Sequence, residues 1–264
     1  MNDIVALDAL ALSRSIRARE VSCREVMRAY LERIARVNPG LNAIVSMEPE
    51  QSLLAQADAC DAMLARGEWL GWMHGMPQAP KDLAQTRGLR TTWGSPIFRD
   101  FVPDQDAAIV ERVRAAGAIL VGKTNVPEFG LGSQTFNEVF GPTLNPWNTS
   151  KTAGGSSGGA AAALAARMLP VADGSDMMGS LRNPAAFCNV YGFRPSRGRV
   201  PNTLAPDAFS QQLATDGPMG RSVADLAMLL AAQAGYDARA PLSLGDDPSV
   251  FAQPLGRDFS GARI

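Results

Sequence analysis

Apolar residues recur at helical spacing from the start of the chain: Val5, Leu7, Leu10, Leu12 and Ile16 fall within residues 4–19. Ser22 followed by Glu25 has the form of a capping box, and it predicts a second helix to about residue 37. Asn38-Pro39-Gly40 ends that helix. Residues 41–45 read as a short strand, and the Ala- and Leu-rich residues 49–66 as a third helix, closed by Gly67. Residues 1–66 therefore form an N-terminal helical layer.

From about residue 70 the texture changes to dense Gly, Pro, Ser and Thr. A helix is predicted over 106–116, a short apolar strand over 118–121, and a turn-rich stretch over 125–153. An Ala-rich helix follows over 158–167, then a strand over 169–172, and an amphipathic helix over 222–234. The alternation of strands and helices predicts an α/β core over about 70–235 with a largely buried sheet. With 264 residues, the layer and the core read as one domain.

Composition narrows the chemistry. Lys+Arg 25 against Asp+Glu 26 leaves no basic excess to neutralise phosphates, so no nucleic-acid partner is expected. No stretch approaches the length of a membrane span, and the N-terminus has no basic segment ahead of an apolar run, so neither a membrane association nor a secretory leader is expected. His74 is the single histidine, and Cys23, Cys60 and Cys188 are widely spaced, so zinc sites and disulfides are not expected. This cysteine usage suits the cytoplasm. Only Lys81, Lys123 and Lys151 are lysines, which makes them a short list for a lysine with a chemical task.

Residues 117–124, Gly-Ala-Ile-Leu-Val-Gly-Lys-Thr, match the phosphate-loop pattern literally. The intervening Ala-Ile-Leu-Val reads as a strand rather than a loop, and Pro127 interrupts the helix that should follow. The match fails its context.

The stronger signal lies further on. Gly154-Gly155-Ser156-Ser157-Gly158-Gly159 lets backbone approach backbone immediately before the Ala-rich helix. Asp173-Gly174-Ser175-Asp176-Met177-Met178-Gly179-Ser180 follows the 169–172 strand and ends on a serine beside glycine. That position suits a nucleophile, with backbone N–H groups behind it. A serine nucleophile needs a base. His74 is one choice; a lysine whose burial disfavours its charged form is another. Lys81 follows Gln78-Ala79-Pro80 at the inner end of a short strand, and Lys123 and Lys151 compete with it on composition.

Together these segments resemble the amidase signature family of Ser–cis-Ser–Lys serine hydrolases. The resemblance is carried by His74-Gly75-Met76-Pro77 through Lys81-Asp82-Leu83, by Gly154 to Gly159, and by Gly174 to Pro184. Gly122-Lys123-Thr124-Asn125 and Glu128-Phe129-Gly130 add to it. It implies an amidase signature fold, a mixed β-sheet flanked by helices. It assigns Lys81 as base, Ser156 as bridging serine after a cis peptide bond, and Ser180 as nucleophile. Backbone N–H groups of Met177, Met178, Gly179 and Ser180 would form the oxyanion hole, with Ser175 and Asp176 in support. The implied reaction is hydrolysis of a small carboxamide through an acyl-enzyme, without metal or cofactor.

Two departures from the family pattern stand out. Met178 replaces a glycine common in relatives, and is expected to pack beneath the turn rather than narrow the acyl pocket. The chain also ends at Ile264, where the family continues. Ile264 reads as the first residue of a strand, and the expectation is a truncated member with an incomplete sheet, prone to aggregate and poorly active. Two other readings remain: the A subunit of a glutamyl-tRNA(Gln)-type amidotransferase, and an inactive fragment. Oligomeric state stays open, with a homodimer admitted.

Overall fold

The structure is a computed structural model that describes residues 4–204, 207, 209, 213–256 and 258–263. The strand start expected at Ile264 lies outside the described residues. The N-terminal layer comprises α1 (Ala9–Arg17), α2 (Cys23–Val37), β1 (Ile44–Val45) and α3 (Glu50–Ala65). Ser22 and Glu25 make the reciprocal capping box: the Ser22 side chain accepts the Glu25 N–H, and the Glu25 carboxylate accepts the Ser22 N–H. Ser22→Ala removes one acceptor from that helix start. The expected cost is about 1 kcal/mol, read as a fall of roughly 2 °C in melting temperature.

The start of α1 lacks a cap of its own. Its Ala9 and Leu10 N–H groups donate to the carboxylate of Asp225, more than two hundred residues away. Asp225 belongs to α7 (Val223–Gln233), which lies against α1. The first and last described α-helices are thus joined by a buried carboxylate that satisfies two otherwise orphaned donors.

Between them run β2 (Pro77–Gln78), α4 (Ala108–Ala115), β3 (Ile119–Leu120), β4 (Lys123–Thr124), α5 (Gly158–Ala165), β5 (Val171–Asp176), α6 (Arg182–Cys188), β6 (Tyr191–Gly192) and β7 (Thr215–Gly220). Pairing is mixed. β2 runs parallel to β3, and a parallel bridge between Lys81 and Thr124 continues that alignment. β1 pairs antiparallel with β4. The third ladder has the order β5-β7-β6, with antiparallel pairs.

Helix α5 sits at the centre because it is small. Gly158 through Leu164 are all buried, and a Cβ on Gly159 would come within 2.3 Å of the Asn125 nitrogen and 2.7 Å of the Ala43 carbonyl oxygen. The glycine lets the helix start touch the backbone beneath it, where the Gly159 N–H donates to the Asn125 carbonyl. One buried cluster runs continuously from Val5 through α2, α3 and α5 to Met219. Among the described residues, no helix is long and apolar enough to cross a membrane.

The predicted elements reappear with shifted ends. The main difference concerns the strand expected over 169–172. β5 starts at Val171 and continues through Asp176, so Asp173, Ser175 and Asp176 lie in a strand rather than in a loop after one. Pairing with β7 explains this: Gly174 faces Gly217 in the register, and the ladder extends to Asp176 opposite Thr215.

Candidate active site

The 77–81 segment, the turn before α5 and the end of β5 converge on the amine of Lys81. Lys81 is 1% exposed. Its Nζ donates to Ser156 Oγ at 2.8 Å, to Ser157 Oγ at 2.8 Å and to Ser175 Oγ at 2.9 Å. Ser156 follows a cis peptide bond from Gly155. Gly155 presses on the 133–134 backbone, with no room for a side chain.

Burial pushes the Lys81 amine from its ordinary 10.5 down to about 7, against the opposing pull of Asp216, Asp173 and Asp176. An amine in that range is neutral in part of the population near pH 7, as a general base requires.

Ser180 lies at the head of the turn leading from β5 into α6. Its carbonyl accepts the Ser157 N–H at 3.2 Å, which ties the turn to the serine pair. Among the described residues, Ser180 Oγ makes no hydrogen bond. It is half-buried and accessible from outside.

The turn is built around Asp176. Its carboxylate accepts the N–H groups of Gly179 at 2.8 Å and Leu181 at 3.1 Å, and both Arg182 and Arg194 pair with it. Burial opposes ionisation of Asp176. The bonds from Arg182, from the two N–H groups and from Arg194 overcome that cost and hold its carboxyl well below the usual carboxylate range.

This geometry changes two expectations. The Gly179 N–H is occupied by Asp176, so it is not a free oxyanion donor. The N–H groups of Met178 and Ser180 donate to no acceptor among the described residues. Met178 does not pack beneath the turn: it is 86% exposed. The space under the turn is taken by the Asp176 carboxylate and by Asn183, which a Cβ on Gly179 would meet at 2.8 Å. The Met side chain is left pointing outward.

The competing bases fall elsewhere. Lys151 is exposed. Lys123 is fully buried, but its Nζ donates to the Ala84 carbonyl and to Thr86 Oγ1, clamping the loop after Lys81. Burial lowers it to about 8, against the pull of Asp82, Asp173 and Asp106. With Lys123 in β4 and its amine under that loop, the phosphate-loop pattern has no cradle. His74 is buried against Trp69, its Nδ1 accepting the Leu70 N–H and its Nε2 lying 3.0 Å from the Cys60 carbonyl. It supports the N-terminal layer. His74→Gln is expected to retain acylation by a serine-reactive probe while costing about 1–3 kcal/mol of stability in denaturant unfolding.

Ser157 is a partner of the lysine that sequence reasoning does not single out. Its Oγ is as close to Lys81 Nζ as that of Ser156 and also accepts the Ser175 N–H. Its adjacency to Ser156 is the only signal.

The structure thus gathers Ser156, Ser157 and Ser175 around one buried lysine amine, with Ser180 on the glycine turn that follows β5. The Amidase family model matches residues 25–264, and the chain belongs to that family. It is 46% identical over its full length to the A subunit of the glutamyl-tRNA(Gln) amidotransferase of Acidothermus cellulolyticus, covering 52% of that protein. It is 44% identical over 96% of its length to the corresponding protein of the same name from Methylococcus capsulatus, again covering 52%. Among solved structures, a bacterial aryl acylamidase of the amidase signature family superposes with a TM-score of 0.86 at 36% identity, over 91% of this chain and 50% of that one. The peptide amidase of Stenotrophomonas maltophilia does so with a TM-score of 0.81 at 36% identity, over 95% and 51%. The chain thus spans about half the length of the curated relatives it matches.

Proposed function

We propose that the chain carries the catalytic centre of an amidase that hydrolyses the C–N bond of a small carboxamide through an acyl-enzyme on Ser180. The observation that carries this reading is the buried Lys81 amine 2.8 Å from Ser156 Oγ. Neutral Lys81 takes the Ser156 proton as Ser156 takes that of Ser180, and Ser180 Oγ attacks the carbonyl carbon. Charge developing on the carbonyl oxygen is met by the Met178 and Ser180 N–H groups, with Met177 at the turn entrance. The relay then returns the proton to the departing nitrogen as the C–N bond breaks. Water attacks the ester by the same route and releases the acid. The relay requires a Ser180–Ser156 hydrogen bond, a contact expected to form when substrate fills the site. The continuous core from Val5 to Met219 supports treating the N-terminal layer and the catalytic core as one domain.

Incubation with a fluorophosphonate, followed by peptide mass spectrometry, tests this reading. An adduct on Ser180 and ammonia release from simple primary amides support it; an adduct on Ser156 or Ser157 overturns the assignment.

The 46% identity to an amidotransferase component favours a second reading, in which glutamine is the amide and the ammonia passes to a partner protein. Met178 and the absence of a basic excess weigh against it. Glutamine hydrolysis without turnover of other primary amides would establish it. An intact fold with no labelling at all would leave the inactive fragment.

A further inference from the structure

Asp173 stands in an unusual place for a carboxylate. It is 2% exposed, in the middle of β5. β5 and β2 belong to separate ladders. The Asp173 side chain joins them instead: Oδ2 accepts the Lys81 backbone N–H at 3.0 Å, and Oδ1 accepts the Gln78 amide at 3.1 Å. A carboxylate thus does the work of a backbone ladder, and the segment it holds ends in the lysine of the site.

Alternation along β5 puts Asp173 and Ser175 on one face of the sheet. Asp216 on β7 sits directly opposite Ser175, so its side chain shares that face. The Lys81 amine, bound to Ser175 Oγ, therefore lies on the sheet face that carries both carboxylates.

We propose that Asp173 is a positioning residue for Lys81, fixing its segment against β5 and, with Asp216, supplying the negative field that makes the buried amine a strong enough base at neutral pH. The proposal rests on the reading of Lys81 as the base. Burial alone would weaken the amine, and a base too weak to take a proton is as poor as one that is always charged. Both carboxylates pull Lys81 upward against its burial. Burial raises Asp216 to about 6, with Asp173 adding to the rise and Lys81 opposing it, so Asp216 is ionised above that pH. Burial also raises Asp173, while the Lys81 N–H and Lys123 pull it back.

The other charged groups near Lys81 are accounted for. Asp176 on β5 also acts on it but is paired with Arg182 and Arg194. Asp82, next in the chain, is turned to the N–H and hydroxyl of Thr92. The 155–157 segment contributes only glycine and serines.

The test is the pH dependence of fluorophosphonate labelling for the wild-type chain, Asp173→Asn and Asp216→Asn. Asn at 173 keeps an acceptor for the Lys81 N–H. Its amide can donate to Gln78 Oε1, which has no partner among the described residues of the wild type, once the Gln78 amide flips. Losing a negative charge disfavours the charged lysine, so the midpoint of the acid limb should move down by about one pH unit in each variant. The weaker base should lower the plateau about threefold. A residue with only a structural role would lower the plateau and leave the midpoint in place. Unmoved midpoints in both variants overturn the proposal. If Asp173→Asn shows no cooperative melt, Asp216→Asn decides alone, and an unmoved midpoint there overturns it. Absence of wild-type labelling at every pH sinks the amidase reading itself, and this proposal with it.

Discussion

Ser180→Ala is expected to abolish acylation while leaving the fold in place. The hydroxyl of Ser180 makes no hydrogen bond among the described residues, so removing it costs the native state little. What anchors this position is backbone: the Ser180 carbonyl accepts the Ser157 N–H, and the flanking Gly179 and Leu181 N–H groups are held by Asp176. Alanine keeps all three bonds. Chemically the loss is total, since no other serine of the cluster is placed to replace it. Ser156 and Ser157 are buried at 2% and 0% exposure, each within 2.8 Å of the Lys81 amine. Turnover should fall by on the order of 10⁴-fold or more, with an unchanged melting temperature and no probe adduct by intact mass. Residual labelling at the wild-type rate would move the nucleophile elsewhere.

Much of this site is legible in the sequence because its residues cluster in short segments of unusual composition. Four glycines around two serines announce a close backbone approach, and Gly155 and Gly159 both press on neighbouring backbone. The scarcity of lysine narrows the base to three; exposure sets Lys151 aside, and the Ala84 and Thr86 partners of its amine set Lys123 aside. Helix ends are legible where side chains cap locally, as at Ser22. Partnerships set by tertiary structure are not. The start of α1 is capped by Asp225 from the far end of the chain, which no local pattern announces. β7 and α6 escape prediction: Thr215-Asp-Gly-Pro-Met-Gly220 carries loop-like residues that become a strand only against β5. Asp173 looks like part of a polar turn. Its value as a stitch between two ladders depends on Gln78 and Lys81 arriving beside it. The outward placement of Met178 is hidden because the space beneath its turn is filled by Asp176, a charge that would ordinarily be assigned to the surface.

Lys81→Arg should be nearly inactive although it preserves a cation. Lysine serves here through its neutral form. With its ordinary value of 10.5, an amine is neutral in only about one molecule in three thousand at pH 7; lowered to about 7, it is neutral in about half. Below that value the neutral fraction falls tenfold per pH unit, so activity should rise with pH and level off above a midpoint near 7. A guanidinium offers no such form at accessible pH. It would also have to fit where the ammonium nitrogen meets Ser156, Ser157 and Ser175 within 2.9 Å, a space shaped for a tetrahedral donor rather than a planar fork. Loss of the base is expected to lower the rate of Ser180 acylation by roughly 10²- to 10⁴-fold, and the small remainder should lose the acid limb with midpoint near 7. The check is labelling rate against pH for wild type and variant, with circular dichroism to establish that both are folded. An Arg variant that labels at most of the wild-type rate, with the same midpoint, would remove Lys81 from the relay. It would return the role of base to His74, which lies buried against Trp69 with Nδ1 accepting the Leu70 N–H and Nε2 beside the Cys60 carbonyl.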